Sequence, residues 1–348
     1  MHVVIIGGGI MGAALAHRLG GAGARVTVIE GAAGATPASF GWINASFYLN
    51  EDHFALRTAG LEAWRRLGGH VTWSGCLCWE ETGDALDAQR DRLTALGYDV
   101  EEVDAKQFAT LEPNIKAPER ALRFAQEGVA APAQVAEALL SGSRRMTGVR
   151  VTGIATSGGT VTGVQTAQGL VPADRVVVAA GTGSPSILGT VGVALPMLER
   201  PGLMLRTSSV PTLMRHVIVT PGQEVRQDQQ GHIWAPTSAN HQSDTTDQIT
   251  SRPDVLADAA LVRLQSMLPD HPLAWDRVML AARPVPQDGL PVIGACGPAG
   301  LFAAVMQSGV TLAAITADVL TPQVLDAPLS NAQSALVAPF TPCRFQSG

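Results

Sequence analysis

Lysine is almost missing from this 348-residue chain: only Lys106 and Lys116 occur among its 24 basic residues. The arginines are scattered, no basic run stands out and the net charge is −6, which removes the electrostatic footprint that a nucleic-acid partner requires. A small-molecule partner is the expectation. Cysteine is scarce too. Cys76, Cys78, Cys296 and Cys343 are the full set; they are too few for a disulfide framework and match neither a zinc nor a thioredoxin spacing, so they read as free thiols of a reducing compartment. No apolar run reaches the roughly 18 to 20 residues of a membrane span, and the N-terminus enters a strand at His2 without a basic region or cleavage site. A cytoplasmic protein is expected. The histidines show no H-x-x-x-H spacing and no Ser/His/Asp grouping, which leaves no metal site to expect, and a lone His216 reads as structural.

What the chain does have is apolar mass, 46% of its residues against 16% charged. That is enough for a sizeable core in two domains. The β-branched run His2 to Ile6 is followed by glycines, an Ala/Leu-rich helical stretch from Gly12 to Leu19 and a second strand, Arg25 to Ile29. Strand, tight turn, helix and strand within about thirty residues is a βαβ unit. A polar loop (31–44) precedes a helix around Asp52 to Leu67, with apolar positions at Phe54, Leu61, Trp64 and Leu67.

Residues 71–127 change character, with a strand at Leu77 to Glu80, an amphipathic helix near Ala85 to Leu96 and an acidic stretch through Glu112. A helix (Pro132 to Leu140), short strands punctuated by Gly158, Gly159 and Gly169, and the fully apolar strand Arg175 to Ala180 then return to the first pattern; a run apolar on both faces suits the middle of a parallel sheet. Alternating segments at Leu203 to Arg206, His216 to Val219, Glu224 to Gln227 and His232 to Ala235, with a helix near Val255 to Leu268, read as antiparallel sheet. Leu301 to Met306 and the helix Val310 to Leu320 close the pattern. The expected fold is α/β: a Rossmann-type cofactor domain (1–70, 128–197, 281–348) interrupted by an α+β substrate domain (71–127, 198–280) on a mostly antiparallel sheet.

Gly7, Gly9 and Gly12 form G-x-G-x-x-G between a strand and a helix, and Glu30 closes the second strand. Gly7 permits the sharp turn, Gly9 lets a pyrophosphate approach the backbone at the positive end of the helix, and Gly12 allows close helix–strand packing. The turn residues Ile10 and Met11 sit at the same helix end. Glu30 would accept hydrogen bonds from ribose hydroxyls, and an acid there argues against a 2′-phosphate. This fingerprint does not separate FAD from NAD. The later series Gly294, Gly297 and Gly300 opens no helix and reads as a loop, so no second dinucleotide site is expected.

Five further segments carry a resemblance. Ala38-Ser39-Phe40-Gly41-Trp42 is a loop after the fingerprint, Gly128 to Pro132 leads into a helix, and Ala173 to Gly181 is a strand ending at an Ala180-Gly181 turn; Arg283-Pro284 to Gly294 is followed by Ser308-Gly309-Val310-Thr311-Leu312. With the fingerprint, they make the chain resemble the D-amino acid oxidase family of FAD-dependent oxidoreductases, which includes glycine oxidase, sarcosine oxidase and D-amino acid dehydrogenase. The resemblance implies FAD as cofactor, with Ser39 and Trp42 near the pyrophosphate loop and Ala180 and Gly181 beside the cofactor. It places the helix begun by Ser308, Gly309, Val310 and Thr311 at the flavin's pyrimidine edge, where reduction puts negative charge, and Arg283 over the ring.

Oxidising an amino acid is mostly positioning. Arg283 is the candidate clamp for a substrate carboxylate, because guanidinium makes a planar two-point contact that lysine cannot copy; the alternative is a loop-fixing pair with Asp288. Arg226 either faces the substrate or is an exposed sheet residue, the commoner case. Trp42 and Trp234 read as pocket walls or as core. Gln307 stands where relatives carry a basic or imidazole side chain. Sarcosine-oxidase-like members hold FAD through a cysteine where Ala281 and Ala282 stand here, so non-covalent FAD is expected. Those members also activate oxygen with a lysine, and both lysines here lie elsewhere, leaving oxygen or another electron acceptor open. The implied reaction oxidises a small carboxylate-bearing amine to an imino acid; a 2-hydroxy acid, an N-methylated glycine or a flavin-bearing subunit role are the alternatives.

Overall fold

A computed structural model describes residues 1–239 and 244–345; positions 240–243 and 346–348, within the expected substrate insertion and at the end of the last cofactor segment, lie outside the described residues. The opening run forms the strand His2–Ile6, then the helix Ile10–Gly21 and the strand Arg25–Glu30. The helix starts two residues before Gly12, because extended Gly9 is its cap and the Ala13 N–H already bonds the Gly9 carbonyl at 2.9 Å.

These strands lie in a six-stranded sheet ordered Val292–Ala295, Leu301–Val305, Arg175–Val178, His2–Ile6, Arg25–Glu30, Arg144–Thr147. Only the first pair is antiparallel. The central strands are buried on both faces, as their Val/Ile content dictates. Helix Gly309–Val324, apolar nearly all round, is correspondingly buried between the first helix and helix Glu51–Leu67. Gly60 allows that approach: a Cβ there would stand 2.7 Å from the Thr311 carbonyl oxygen.

The second sheet has eight strands ordered Trp275–Ala282, Pro201–Thr207, Ile233–Pro236, Gln223–Gln227, Val217–Thr220, Cys76–Cys78, Arg120–Phe124, Glu101–Asp104. Every pair is antiparallel except Cys76–Cys78 with Val217–Thr220, which joins the two insertions side by side. One face, with Leu77, Ile218, Val225 and Ile233, packs on helix Pro253–Met267 through Ala257, Ala260 and Leu264. The other face, with Cys76, Cys78, Val217, Val219 and Met204, shares a core with Ile10, Trp42 and Val310 of the cofactor side. The architecture is therefore α/β, a Rossmann-type sheet carrying an α+β unit on a mostly antiparallel sheet. The strand Trp275–Ala282 had no counterpart in the sequence reading; it lies at the sheet edge and runs through position 281.

Candidate active site

The fingerprint turn brings its backbone close against the neighbouring strand end and leaves no room for side chains. Gly7 has φ +114°, and a Cβ there would clash with the Ala179 carbonyl and come 3.1 Å from the Ala180 Cα. Gly12 has no room for a Cβ against the Gly7 carbonyl. The Ile10 N–H donates to Thr36 Oγ1 at 3.0 Å, and a Cβ on Gly9 would lie 2.9 Å from that oxygen. Glu30 sits against Gly8 and pairs with Arg145 at 2.7 Å. A carboxylate offers about four lone-pair sites, so this pair leaves acceptors for ribose hydroxyls. The cradle fits an adenosine diphosphate end.

The later segments gather around the same turn. An ideal Cβ on Gly181, itself at φ +55°, would lie 3.9 Å from the Pro284 side chain, so fingerprint, Ala180-Gly181 turn and Arg283-Pro284 follow one another in space. Ser308, at φ 58° and ψ 26°, caps the helix Gly309–Val324 in the left-handed region without a side-chain cap bond. Its hydroxyl accepts from Arg57 Nη1 at 2.7 Å. Thr311 Oγ1 donates to the Trp42 carbonyl at 3.2 Å and accepts the Asn44 N–H at 3.3 Å. Ser39 Oγ only closes its own loop, accepting the Gly41 N–H at 3.3 Å. Trp42 is core: its indole N–H donates to Glu127 Oε2 at 3.0 Å. Met11 and Val310 are buried, and Gln307 is half-buried beside Ser308.

Glu127 is a hub that the sequence did not reveal. Its fully buried carboxylate also accepts from the Tyr98 hydroxyl at 2.7 Å and the Ala45 and Ser46 N–H groups at 3.2 and 3.1 Å. It fixes the loop that runs from Trp42 to Ser46.

The inner sheet face brings the arginines in. Arg226 is buried, against the expectation of an exposed sheet residue, because both faces of its strand are covered. Its Nε donates to the Phe40 carbonyl, and its guanidinium stands 5.6 Å from the Phe40 ring and 5.2 Å from that of Trp234. Burial pulls its pKa down to about 10. Arg283 does not pair with Asp288, which is held by Arg344 at 2.7 Å. Its Nη2 instead meets the Asp244 carbonyl at 3.1 Å and carboxylate at 3.5 Å. Burial alone would raise the Asp244 carboxyl, yet bonds from Thr246 and the Arg283 charge hold it below its ordinary value.

Glu224, on the face shared with Arg226, is buried and was not singled out from the sequence. Burial, Glu224 and Glu81 together push Glu80 from 4.5 up to about 7. A folded-state carboxyl raised in this way binds more protons than the unfolded chain, so its contribution is present below about pH 4.5 and is lost as pH rises through about 7. Glu80→Gln is expected to be more stable than the parent at pH 8 by about 1 to 2 kcal/mol after solvent screening, and equal to it at pH 4.5. Urea melts at the two pH values check this; an equal gap at both would contradict it.

The profile of the family described as FAD dependent oxidoreductase (DAO) matches residues 2–323. The chain belongs to this family. It is therefore an FAD-dependent oxidoreductase. Among characterised DAO relatives, glycine oxidase of Bacillus licheniformis is 27% identical over 358 residues, covering 94% of each chain. Glycine oxidase of Pseudomonas putida is 33% identical over 92 residues, a match that spans only 26% of this chain and 25% of that relative. The crystal structure of glycine oxidase from Geobacillus kaustophilus superposes with a TM-score of 0.84 at 22% identity, covering 97% of both chains. No helix among the described residues is long and apolar enough to cross a membrane.

Proposed function

We propose that this DAO-family enzyme oxidises the C–N bond of a small amino acid or related amine, giving an imino acid that hydrolyses to a keto acid and ammonia. FAD, when bound, supplies the hydride acceptor at N5. The chain supplies position. Arg283 binds the substrate carboxylate, and the carrying observation is that a carboxylate, that of Asp244, already lies 3.5 Å from its guanidinium, while the next residue, Pro284, borders the Gly181 turn. Planar two-point recognition there would orient the Cα–H toward the cofactor. The glycine oxidases named above make small amino acids the first substrates to try. Gly7, Gly9, Ile10, Met11, Gly12 and Glu30 hold the adenosine half, Ala180 and Gly181 the middle, and Ser308 to Thr311 the pyrimidine edge, with Ser39 and Trp42 shaping the loop between. Gln307 and Arg226 border the substrate, Arg226 through Phe40 and Trp234. In this reading residues 71–127 and 198–280 form the substrate-binding domain.

Incubating the enzyme with glycine, D- and L-amino acids, sarcosine and 2-hydroxy acids, then assaying ammonia and keto acid, tests the reaction. Ammonia matched by keto acid supports it; turnover of 2-hydroxy acids alone would overturn it. Rapid mixing of the substrate-reduced enzyme with air separates oxygen from another acceptor by whether peroxide appears quickly.

FAD should also leave intact. Ala281 and Ala282 occupy the segment before Gln287-Asp288, and the Cys78 and Cys296 thiols are pushed by burial to about 12, far from nucleophilic. Acid precipitation is expected to leave all the flavin in the supernatant; flavin retained in the pellet would show a covalent bond.

A further inference from the structure

Arg57 carries a charge that the proposed reaction leaves unexplained. It lies on helix Glu51–Leu67, is 2% exposed, and every hydrogen bond it makes among the described residues goes to a neutral oxygen: Nε to the Asn44 carbonyl at 3.0 Å, Nη2 to Asn44 Oδ1 at 2.6 Å and Nη1 to Ser308 Oγ at 2.7 Å. No ion pair within 4.0 Å includes it among the described residues. Glu127 acts on it only at a distance, its oxygens being taken by Trp42, Tyr98, Ala45 and Ser46. A dry guanidinium held by neutral acceptors is expensive unless negative charge arrives nearby.

The residue it grips is, among the described residues, the one non-glycine residue in the left-handed region that starts a long helix. A left-handed serine is strained and persists only where its surroundings impose it. Here Arg57 imposes it from one side, while Asn44 ties the same guanidinium to Thr311 on the helix's first turn.

We propose that Arg57 is a positioning residue for the cofactor: it locks the Ser308 turn so that the first N–H groups of the helix face the flavin's pyrimidine edge, and its charge makes the bound flavin easier to reduce. This rests on the reading that Ser308 to Thr311 meet that edge.

The test is the midpoint potential of bound FAD, measured by anaerobic dye equilibration, together with FAD affinity by fluorescence quenching and the melting curve of the apoprotein. Arg57→Gln is expected to bind reduced flavin at least tenfold less well relative to oxidised flavin, about 30 mV lower for a two-electron couple, while Arg57→Lys keeps most of the parent potential. Ser308→Ala should weaken FAD binding, because alanine in the left-handed region offers no hydroxyl for Arg57 to hold. A parent-like potential in Arg57→Gln with full FAD overturns the proposal. If Arg57→Gln does not fold, parent-like FAD affinity in Ser308→Ala overturns it instead. A parent chain that takes up no FAD would remove the cofactor reading and the proposal together.

Discussion

Replacing Arg283 with alanine is expected to leave FAD content unchanged and to lower kcat/KM for carboxylate-bearing amines by about 10²- to 10³-fold. The arithmetic follows from the loss of a desolvated charge pair, about 3 to 4 kcal/mol, at 1.36 kcal/mol per tenfold. Arg283 is only 14% exposed at its side chain, and burial already lowers its pKa, so a carboxylate arriving there is weakly screened by water. Arg283→Lys should fall between, since an ammonium makes one of the two contacts. Substrates lacking a carboxylate should be nearly indifferent to both changes. Steady-state kinetics on a matched pair, an amino acid and its decarboxylated amine, decides it; equal losses for both would mean that the arginine acts on the fold and not on the carboxylate.

The second large effect concerns stability. Glu127→Ala removes one carboxylate from four donors, the Trp42 indole, the Tyr98 hydroxyl and two backbone N–H groups, all buried. Breaking such a cluster from one side costs about 3 to 5 kcal/mol, because the donors stay dry and unmade. FAD affinity should fall with it, since the Trp42 to Ser46 loop carries Asn44 and the Thr311 contact. Glu127→Gln keeps the acceptor oxygen but turns an NH₂ group on the donors, and should cost roughly half as much. Denaturant melts of the apoprotein measure this directly, and a variant as stable as the parent would show that water replaces the carboxylate.

The first thirty residues were legible because three signals agree there: β-branched strands, a helical period and glycines where the backbone must turn. The Arg283 and Ser308 segments were singled out only through resemblance, since no local pattern sets them apart from other loops. Arg226 and Glu224 were misjudged or passed over for one reason. The strand Gln223–Gln227 is polar at four of its five positions yet buried over its first four, with a helix covering one face and the cofactor side the other. Polar alternation signals solvent only when one face is open. The edge strand Trp275–Ala282 was missed because its exposure follows no clean period. Arg57 did leave a trace: it lies three residues after Phe54 and four before Leu61, on the helix stripe that those residues bury. An arginine at that register of an apolar stripe is the signal that finds it. Glu127 left none, as its donors come from loops brought together by the fold.

Anaerobic titration of the purified FAD-loaded chain with a small amino acid, followed in the visible flavin absorption band, bears most directly on the whole account. It predicts that the band bleaches fully with one equivalent of a carboxylate-bearing amine per flavin and that Arg283→Ala bleaches only at far higher concentration. A fully loaded chain whose band no amine changes, or one that bleaches equally well without Arg283, would contradict it.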